Sequence, residues 1–186
     1  MFTDPQGLFP SWRKFNYHAD IVRHALQGQA SPAQIEAIAD ADTKYDERTQ
    51  DPIYAPYHAM TRPGQHPEEA RREANDFVRG KICDARRYAA LGNERDAMTS
   101  LGAATHTIQD NYSPAHSGFK PAWPNTILFN LLAVPHYLSE TLLPGRANLD
   151  SAEQATKDVW RYYNGAPMPN DFFGDRAGGS QGCQCR

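Results

Sequence analysis

The chain contains the stretch Leu101-Gly-Ala-Ala-Thr-His106-Thr-Ile-Gln-Asp110-Asn-Tyr-Ser-Pro-Ala-His116. Its small and apolar residues recur at helical spacing as far as Asp110, and Pro114 then ends the helix. His106 and Asp110 are four residues apart, so a helix places them on one face with about 5–6 Å between their Cβ atoms. An imidazole and a carboxylate at that separation can bind one metal ion or two adjacent ions. The stretch therefore predicts a metal site built on a helix.

A second stretch, His136-Tyr-Leu-Ser-Glu140, repeats the spacing of that pair. A lone histidine on an apolar face is usually a core residue with a satisfied hydrogen bond, but a buried carboxylate is costly unless it is paired or bound to metal. A cluster of two or three metal ions would satisfy all the polar groups of both stretches, as it does in the cores of other helical bundles. The five expected ligands are His106, Asp110, His116, His136 and Glu140.

The ligand types indicate which metal is expected. Histidine and carboxylate ligands without cysteine favour Zn²⁺ in an open catalytic site, although non-haem iron uses the same ligands. Further ligands are expected upstream. His18 lies on the apolar face of the first predicted helix, Asp42 lies on that of the second, and His58 follows a loop. Asp46 is a rival to Asp42, and Asp40 is a more distant one.

Helical spacing continues along almost the whole chain, and no segment shows the alternation of a half-buried strand. Ser31 and Pro32 supply an N-cap and a first helical residue. We therefore predict an all-α protein, a single multi-helix bundle without internal repeats. The helices are expected near residues 15–26, 31–42, 67–91, 94–109, 125–142 and 151–163. Two histidines that fit no pairing, His24 and His66, are expected at the surface.

Composition limits the class of protein. With 186 residues the chain is long enough for one domain with a substantial core. A net charge of -3 and a pI near 6.1 do not favour general nucleic-acid binding through a basic surface. Neither a bilayer-spanning apolar run nor a secretory signal is expected. We predict a junction over residues 1–11, a helical domain over 12–165 and a flexible tail over 166–186.

Three cysteines are present. Cys83 lies within a helical pattern and is expected to be a small buried apolar residue. Cys183 and Cys185 lie in the glycine-rich C-terminal segment, where a frayed end is expected. A metal site at these two residues would need a second cysteine pair nearby, which the sequence lacks.

The stretch from Leu101 to His116 closely resembles the core motif of the zinc-dependent bacterial phospholipases C, whose fold is shared by fungal zinc nucleases that cut single strands. In that superfamily the pattern His-x3-Asp-x5-His, followed by a later His-x3-Glu or His-x3-Asp, supplies ligands to a trinuclear zinc cluster. Residues 84–92, before the motif, also look similar. The resemblance covers roughly residues 12–163, and it implies a bundle of the phospholipase C type.

The resemblance also implies roles for single residues. It implies that Asp110 bridges two zinc ions and that His18 and His58 are further ligands. Asp42 corresponds to the acid that binds zinc and activates the attacking water, and Asp46 competes for this role because its gap to His58 is shorter. The resemblance implies zinc binding at His106, His116, His136 and Glu140 as well.

The N-terminal region departs from the family pattern. Those enzymes use a processed N-terminal tryptophan as a ligand, whereas this sequence starts at Met1 and its nearest tryptophan is Trp12. Either one ion is held differently, the site is dinuclear, or the chain is trimmed. The segment Thr3-Asp4-Pro5-Gln6-Gly7-Leu8 resembles the Asp-Pro-x-Gly-Leu junction of Rhs-type polymorphic toxins. This second resemblance implies a type VI secretion effector that is released by cleavage from an encapsulating Rhs shell, delivered into a neighbouring cell and neutralised by a cognate immunity protein in the producer.

The expected activity is zinc-dependent phosphodiester hydrolysis, with phospholipids at a membrane surface as the substrate. Glu140, the negative net charge and the lack of a basic stripe favour lipid over nucleic acid. A zinc nuclease acting on single strands and a non-catalytic, metal-stabilised binding domain are the alternatives. Four aromatic residues could contact a membrane or a base, or could close the bundle: Phe119, Trp123, Phe172 and Phe173.

Overall fold

The computed structural model describes residues 11–12, 15–114, 116–122 and 146–174, together with Cys185. Most of these residues are helical, which confirms the predicted all-α class. The α-helices are α1 (Tyr17–Leu26), α2 (Pro32–Arg48), α3 (Pro67–Ala90), α4 (Glu94–Asp110) and α5 (Arg146–Tyr163). A 3-10 helix (Pro52–His58) lies in the segment that the sequence predicts to be a loop. The strands β1 (Ser11–Trp12) and β2 (Phe15–Asn16) pair antiparallel before α1.

Local sequence explains where α2 begins. Ser31 is its N-cap, and the Ser31 hydroxyl accepts a hydrogen bond from the Gln34 amide while the Gln34 side chain accepts one from the Ser31 amide. This capping box, together with Pro32 at the first turn, satisfies amides that an open helix end would leave unpaired. The predicted helix near residues 125–142 lies outside the described residues. Within the described ranges, no helix combines the length and the apolar character needed to cross a bilayer.

Helix α4 is the centre of the bundle. Every residue from Ser100 to Asp110 is buried, and α4 contacts α2, α3, α5 and the 3-10 helix. The apolar part of the core includes Val22, Leu26, Ile38, Val78, Ile82, Met98 and Leu101. Because the C-terminal half of α4 is enclosed on all sides, its polar side chains need hydrogen-bond partners within the protein or a bound cation.

Gly102 allows α2 to approach α4 closely. A Cβ atom at this position would lie 2.5 Å from Ala41 Cβ and 2.7 Å from the Asp42 amide nitrogen. Carbon atoms in ordinary contact are about 3.5–4.0 Å apart, so no side chain fits here. The close approach carries the Asp42 side chain onto the part of α4 that holds His106.

The structure corrects the prediction for Cys83. This residue forms a disulfide with Cys185, with 5.4 Å between the two Cα atoms, so the expectation of an unpaired apolar thiol is wrong. The helical pattern around Cys83 could not reveal a partner 102 residues further along the chain. The disulfide joins Cys185 to α3.

Part of the predicted flexible tail also packs against α3. Met168 is buried, and the Asn75 side chain donates to Asp171 Oδ1 and accepts from the Phe172 amide. Arg79 donates to the Pro169 carbonyl. Residues 166–174 therefore belong to the folded body, contrary to the tail predicted from the glycine- and proline-rich composition.

We expect Gly102→Ala to lower the free energy of unfolding by about 1–3 kcal/mol, because the added methyl group overlaps the α2 backbone. Urea unfolding followed by circular dichroism measures this change. Gly80→Ala is the matched control, because Gly80 lies in α3 and no atom is within 4 Å of the position that a Cβ atom would take. Alanine should raise the free energy of unfolding there by up to about 1 kcal/mol, since it favours the helix more than glycine does. Equal effects at the two positions would contradict the tight contact between α2 and α4.

Candidate metal centre

Seven acidic and histidine side chains are buried together beside α4. A buried carboxylate or imidazolium needs a charged or hydrogen-bonding partner to offset its lost hydration. None of the seven exceeds 3% exposure: His18, Asp42, Asp46, His58, His106, Asp110 and His116. They come from α1, α2, the 3-10 helix, α4 and the turn after α4. The bundle thus brings together residues that are distant in sequence.

Helix α4 supplies the centre of the cluster. His106 and Asp110 are one turn apart, and His106 Nε2 lies 3.1 Å from Asp110 Oδ2. The chain then turns back, with Ser113 accepting a backbone hydrogen bond from His116. His116 Nδ1 lies 2.7 Å from the His58 carbonyl oxygen and 3.8 Å from Asp110 Oδ2. The turn beyond Pro114 therefore returns a histidine to the same carboxylate, as the sequence spacing predicts.

The 3-10 helix positions His58. Its C-cap, Ala59, has a left-handed backbone with φ of 52°, which ends the helix directly after the histidine. His58 Nε2 lies 2.9 Å from Thr49 Oγ1 and 3.0 Å from the Thr49 carbonyl oxygen. The Thr49 hydroxyl itself donates to the Tyr45 carbonyl. Because a carbonyl oxygen can only accept, the proton of His58 is on Nε2 and the lone pair of Nδ1 faces the cluster.

His106 is oriented by the same principle. Its Nδ1 donates to Asp42 Oδ1 at 3.0 Å, so its Nε2 faces inward. His106 Nε2 and His58 Nδ1 are 2.9 Å apart, and His58 Nδ1 is 3.0 Å from Asp110 Oδ2. His106 Nε2 and Asp110 Oδ2 are 3.1 Å apart. The three possible metal-ligand atoms, His106 Nε2, His58 Nδ1 and Asp110 Oδ2, therefore form a nearly equilateral triangle. Three lone pairs this close repel one another unless a proton or a metal ion lies between them.

The charges of the cluster follow from its neighbours. Burial alone would lower the pKa of His106, but the carboxylates of Asp110 and Asp42 raise that pKa well above its usual value. Burial lowers the pKa of His58 to about 4. Burial would raise the pKa of Asp110, yet the nearby His106 and His116 hold it well below its usual range. The balance of these effects favours a positive charge on His106 beside the carboxylate of Asp110.

A metal ion fits the same position. Ligand atoms about 2.0–2.1 Å from a tetrahedral zinc ion are about 3.3 Å from one another, so the triangle needs to expand by only a few tenths of an ångström. Ligand atoms of Asp46, His58 and His106 lie within 4.8 Å of one another, and so do those of His18, Asp42 and His106. These buried groups can hold a metal ion.

Asp110 faces both groups of histidines. Its Oδ2 contacts His58 and His106, whereas its Oδ1 lies 3.4 Å from His18 Nε2, a separation suited to two ligands of one ion. Asp110 Oδ1 and Asp42 Oδ2 are buried and accept no hydrogen bond from the described part of the chain. Such acceptors are costly unless a cation satisfies them. Asp110 therefore lies between His18 on one side and His58 and His106 on the other, with one carboxylate oxygen toward each.

The structure places most of the predicted residues at this centre. His18, Asp42, His58, His106, Asp110 and His116 come together there, and so does the rival acid Asp46. His136 and Glu140 lie outside the described residues. The distant rival Asp40 is exposed and pairs with Lys44. His24 and His66 are exposed as predicted, and the His66 ring accepts from the Glu68 amide at the start of α3.

Sequence reasoning missed the residues that hold the histidine rings. Thr49 and Gln109 are buried and contact His58 and His18 through the nitrogen that faces away from Asp110. The available signal was the position of Gln109 beside Asp110, in a helical stretch (residues 100–110) that contains no Lys, Arg or Glu on any face. For Thr49 there was none, because its contact depends on the 3-10 helix.

No protein-family model matches the chain, and no curated protein or solved structure is similar to it at a significant level. The likeness to the zinc-dependent phospholipases C is therefore carried by the motif residues alone, and the geometry of the centre is an independent observation.

We expect a divalent metal such as Zn²⁺ to raise the melting temperature of chelator-treated protein, because the metal binds the folded centre and not the unfolded chain. At 100 times the dissociation constant the gain is about 2.7 kcal/mol. Asp110→Asn should remove most of this gain, since it removes the shared anionic ligand. Asp150→Asn, on the exposed surface of α5, should keep it. An equal metal-dependent shift in both variants would contradict a centre built on Asp110.

Proposed function

We propose that the chain is a zinc-dependent phosphodiester hydrolase of the phospholipase C type. The observation that carries the proposal is the position of Asp110, whose two carboxylate oxygens face His18 on one side and His58 and His106 on the other. The order of these residues along the chain is also that of the family to which the sequence bears a resemblance. Both observations support a cluster of two or three metal ions.

Zinc is the metal that this donor set suits best. All ligands that meet at the described centre are imidazoles and carboxylates, as in catalytic zinc sites, whereas structural zinc sites usually include thiolates. His116 has its Nδ1 committed to the His58 carbonyl, which directs coordination to Nε2, and with His136 and Glu140 it would hold a further ion. Non-haem iron has the same ligand preferences and is the competing metal.

The two acids of α2 receive different roles. Asp42 Oδ1 accepts from His106 Nδ1, a contact that orients the ring and makes its Nε2 a better ligand. Asp46 lies with His58 and His106 in one ligand group, and Gln50 donates to its Oδ1 at 2.8 Å. We therefore assign Asp46 as the ligand that faces the attacking water. This reverses the preference that the sequence gives. Asp42 orients His106 through Oδ1, and its Oδ2 is placed to contact a second ion together with His18.

The reaction needs a nucleophile, a base and charge stabilisation. Bound zinc would lower the pKa of a water molecule and neutralise the charge on the phosphoryl oxygens. Asp46 would take the proton of the attacking water as it adds to phosphorus. The bond from phosphorus to the leaving-group oxygen would break, and the alkoxide would take up the proton that Asp46 received. With a phospholipid the products are diacylglycerol and a phosphorylated head group.

Surface features support lipid as the substrate. The 3-10 helix that ends at His58 exposes Ile53 and Tyr54 by 60% and 38%, and this apolar and aromatic pair suits a membrane interface. Arg62 donates to the Ile53 carbonyl and pairs with Glu73, which holds the helix in place. The net charge of -3 disfavours a polyanion.

Three of the four aromatic residues that could contact a membrane or a base, or close the bundle, lie in the described part of the chain. Phe119 is 4% exposed and packs on the partly buried Phe173, and Phe172 packs on Tyr162. These three side chains close the bundle. Trp123 lies outside the described residues.

The toxin context remains part of the proposal. It depends on the resemblance of Asp4-Pro5-Gln6-Gly7-Leu8 to an Rhs junction, a segment outside the described residues. It implies an encapsulating shell before release, delivery into a target cell and a cognate immunity protein.

The decisive experiment combines metal analysis with a lipid assay on the same protein sample. We expect two or three zinc ions per chain and release of phosphorylated head group from mixed vesicles of phosphatidylcholine and phosphatidylethanolamine. A chelator should abolish release and added zinc should restore it. Asp110→Asn is the inactive control. Zinc with cleavage of single-stranded DNA or RNA instead of lipid would favour the nuclease, and zinc without any cleavage would favour the metal-stabilised binding domain.

The two acids of α2 form a matched pair for a second test. Asp46→Asn should lower the zinc content and reduce turnover by at least about 100-fold, because a ligand and the proton acceptor are lost. Asp42→Asn keeps an oxygen that can accept from His106 but loses the charge of Oδ2, so zinc affinity should fall by about 10-fold and turnover should fall less than in Asp46→Asn. Zinc content by elemental analysis and the kcat on vesicles separate the two roles. The reverse pattern would make Asp42 the ligand that faces the attacking water.

A further inference from the structure

Gln109 links three helices at the metal centre. It is fully buried on α4, and its Oε1 lies 2.7 Å from Nδ1 of His18 on α1. Its Nε2 donates to Oγ1 of Thr156 on α5 at 3.1 Å. The Thr156 hydroxyl donates in turn to the Ala152 carbonyl at 2.9 Å. A continuous polar chain therefore runs from the backbone of α5 to the ring of His18.

The direction of each hydrogen bond between Ala152 and His18 follows from which atoms can donate and which can only accept. The Ala152 carbonyl can only accept, so the single hydroxyl proton of Thr156 is directed to it. Thr156 Oγ1 must then accept from the Gln109 amide group. This leaves the Gln109 carbonyl oxygen facing His18, where it can only accept the proton of Nδ1. A reversed Gln109 amide would place two acceptors against each other at Thr156, so the contact with Thr156 alone fixes the orientation of the amide.

The result is that His18 presents Nε2 to the metal centre. Its Nε2 lies 3.4 Å from Asp110 Oδ1, on the carboxylate oxygen that faces away from His58 and His106. We infer that Gln109 is a positioning residue that holds the proton of His18 on Nδ1 and thereby makes Nε2 a metal ligand. The inference rests on the proposed function in so far as His18 is taken to bind zinc.

A neutral amide suits this place better than the carboxylate that often supports metal-bound histidines. Asp42 already lies 3.6 Å from His18 Nδ1, and Asp46 and Asp110 are in the same buried cluster. A further anion would add like-charge repulsion without a new counterion. Glutamine supplies an acceptor without charge, and its second end anchors the ring to α5.

The inference is tested with two substitutions at one position. Gln109→Met keeps the length of the side chain but removes the accepting oxygen, whereas Gln109→Glu restores an acceptor. We expect Gln109→Met to weaken the binding of one zinc ion by about 10- to 100-fold. Gln109→Glu should recover part of that loss, because the acceptor returns but its charge repels the neighbouring carboxylates. Zinc titration against a competing chelator measures the affinity of each variant.

A second readout does not depend on activity or on metal. In the ring ¹⁵N–¹H spectrum of the metal-free protein, a hydrogen-bonded Nδ1–H signal of His18 should be present in the wild type and in Gln109→Glu. It should be lost or exchange rapidly in Gln109→Met. Thr156→Val, which removes only the outer anchor, should weaken the signal and lower zinc affinity less, and it provides the test if Gln109→Met does not fold.

Two results would overturn the inference. One is a Gln109→Met protein that is less stable but binds zinc as tightly as the wild type, which would limit Gln109 to a structural role. The other is an unchanged Nδ1–H signal in both Gln109→Met and Thr156→Val. If the signal follows Gln109 but no phospholipid is cleaved, the positioning role stands and only the proposed substrate fails.

Discussion

The whole arrangement depends on the buried charge of Asp110. This carboxylate is fully enclosed at the end of α4, where an unpaired anion would be unstable. Its neighbours hold its pKa well below the usual range, chiefly through His106 and His116. The chain therefore has to bring positive charge to this point, either as one shared proton or as bound metal. The histidines of α1, the 3-10 helix and the turn after α4 converge on Asp110 for this reason.

A buried anion also constrains the backbone around it. The helices must approach closely enough for short side chains to meet, and at Gly102 the backbone of α2 takes the space of a side chain. At Ala59 the chain adopts a left-handed conformation, which turns it away immediately after His58. Such local exceptions to ordinary backbone and packing preferences are common at functional sites. Here each one places a side chain that contacts His106 or Asp110.

The sequence predicted the parts of this arrangement that depend on helical periodicity. The four-residue spacing of His106 and Asp110, and the placement of His18 and Asp42 on apolar helix faces, follow from 3.6 residues per turn. The choice between Asp42 and Asp46 did not, because both are buried on one helix and only the contact with His106 Nδ1 separates them. The contact of Thr49 with His58, and the pairing of Cys83 with Cys185, depend on segments that carry no periodic signal. Periodicity predicts the face of a helix on which a residue lies. It does not predict which atom of the side chain contacts a neighbour or a ligand.

The atom that each histidine presents determines how that histidine can bind a metal. A histidine binds a metal through one nitrogen, and the partner of the other nitrogen decides which one it is. In this protein the outer partners are Thr49, Asp42 and Gln109, together with the His58 carbonyl for His116. These acceptors differ in charge and come from different parts of the fold. Each of them keeps a proton on the histidine nitrogen that it contacts. A metal ion at this position would meet rings that are already oriented, so little reorganisation would be needed on binding. The ordering of these rings during folding therefore also prepares the centre to bind metal.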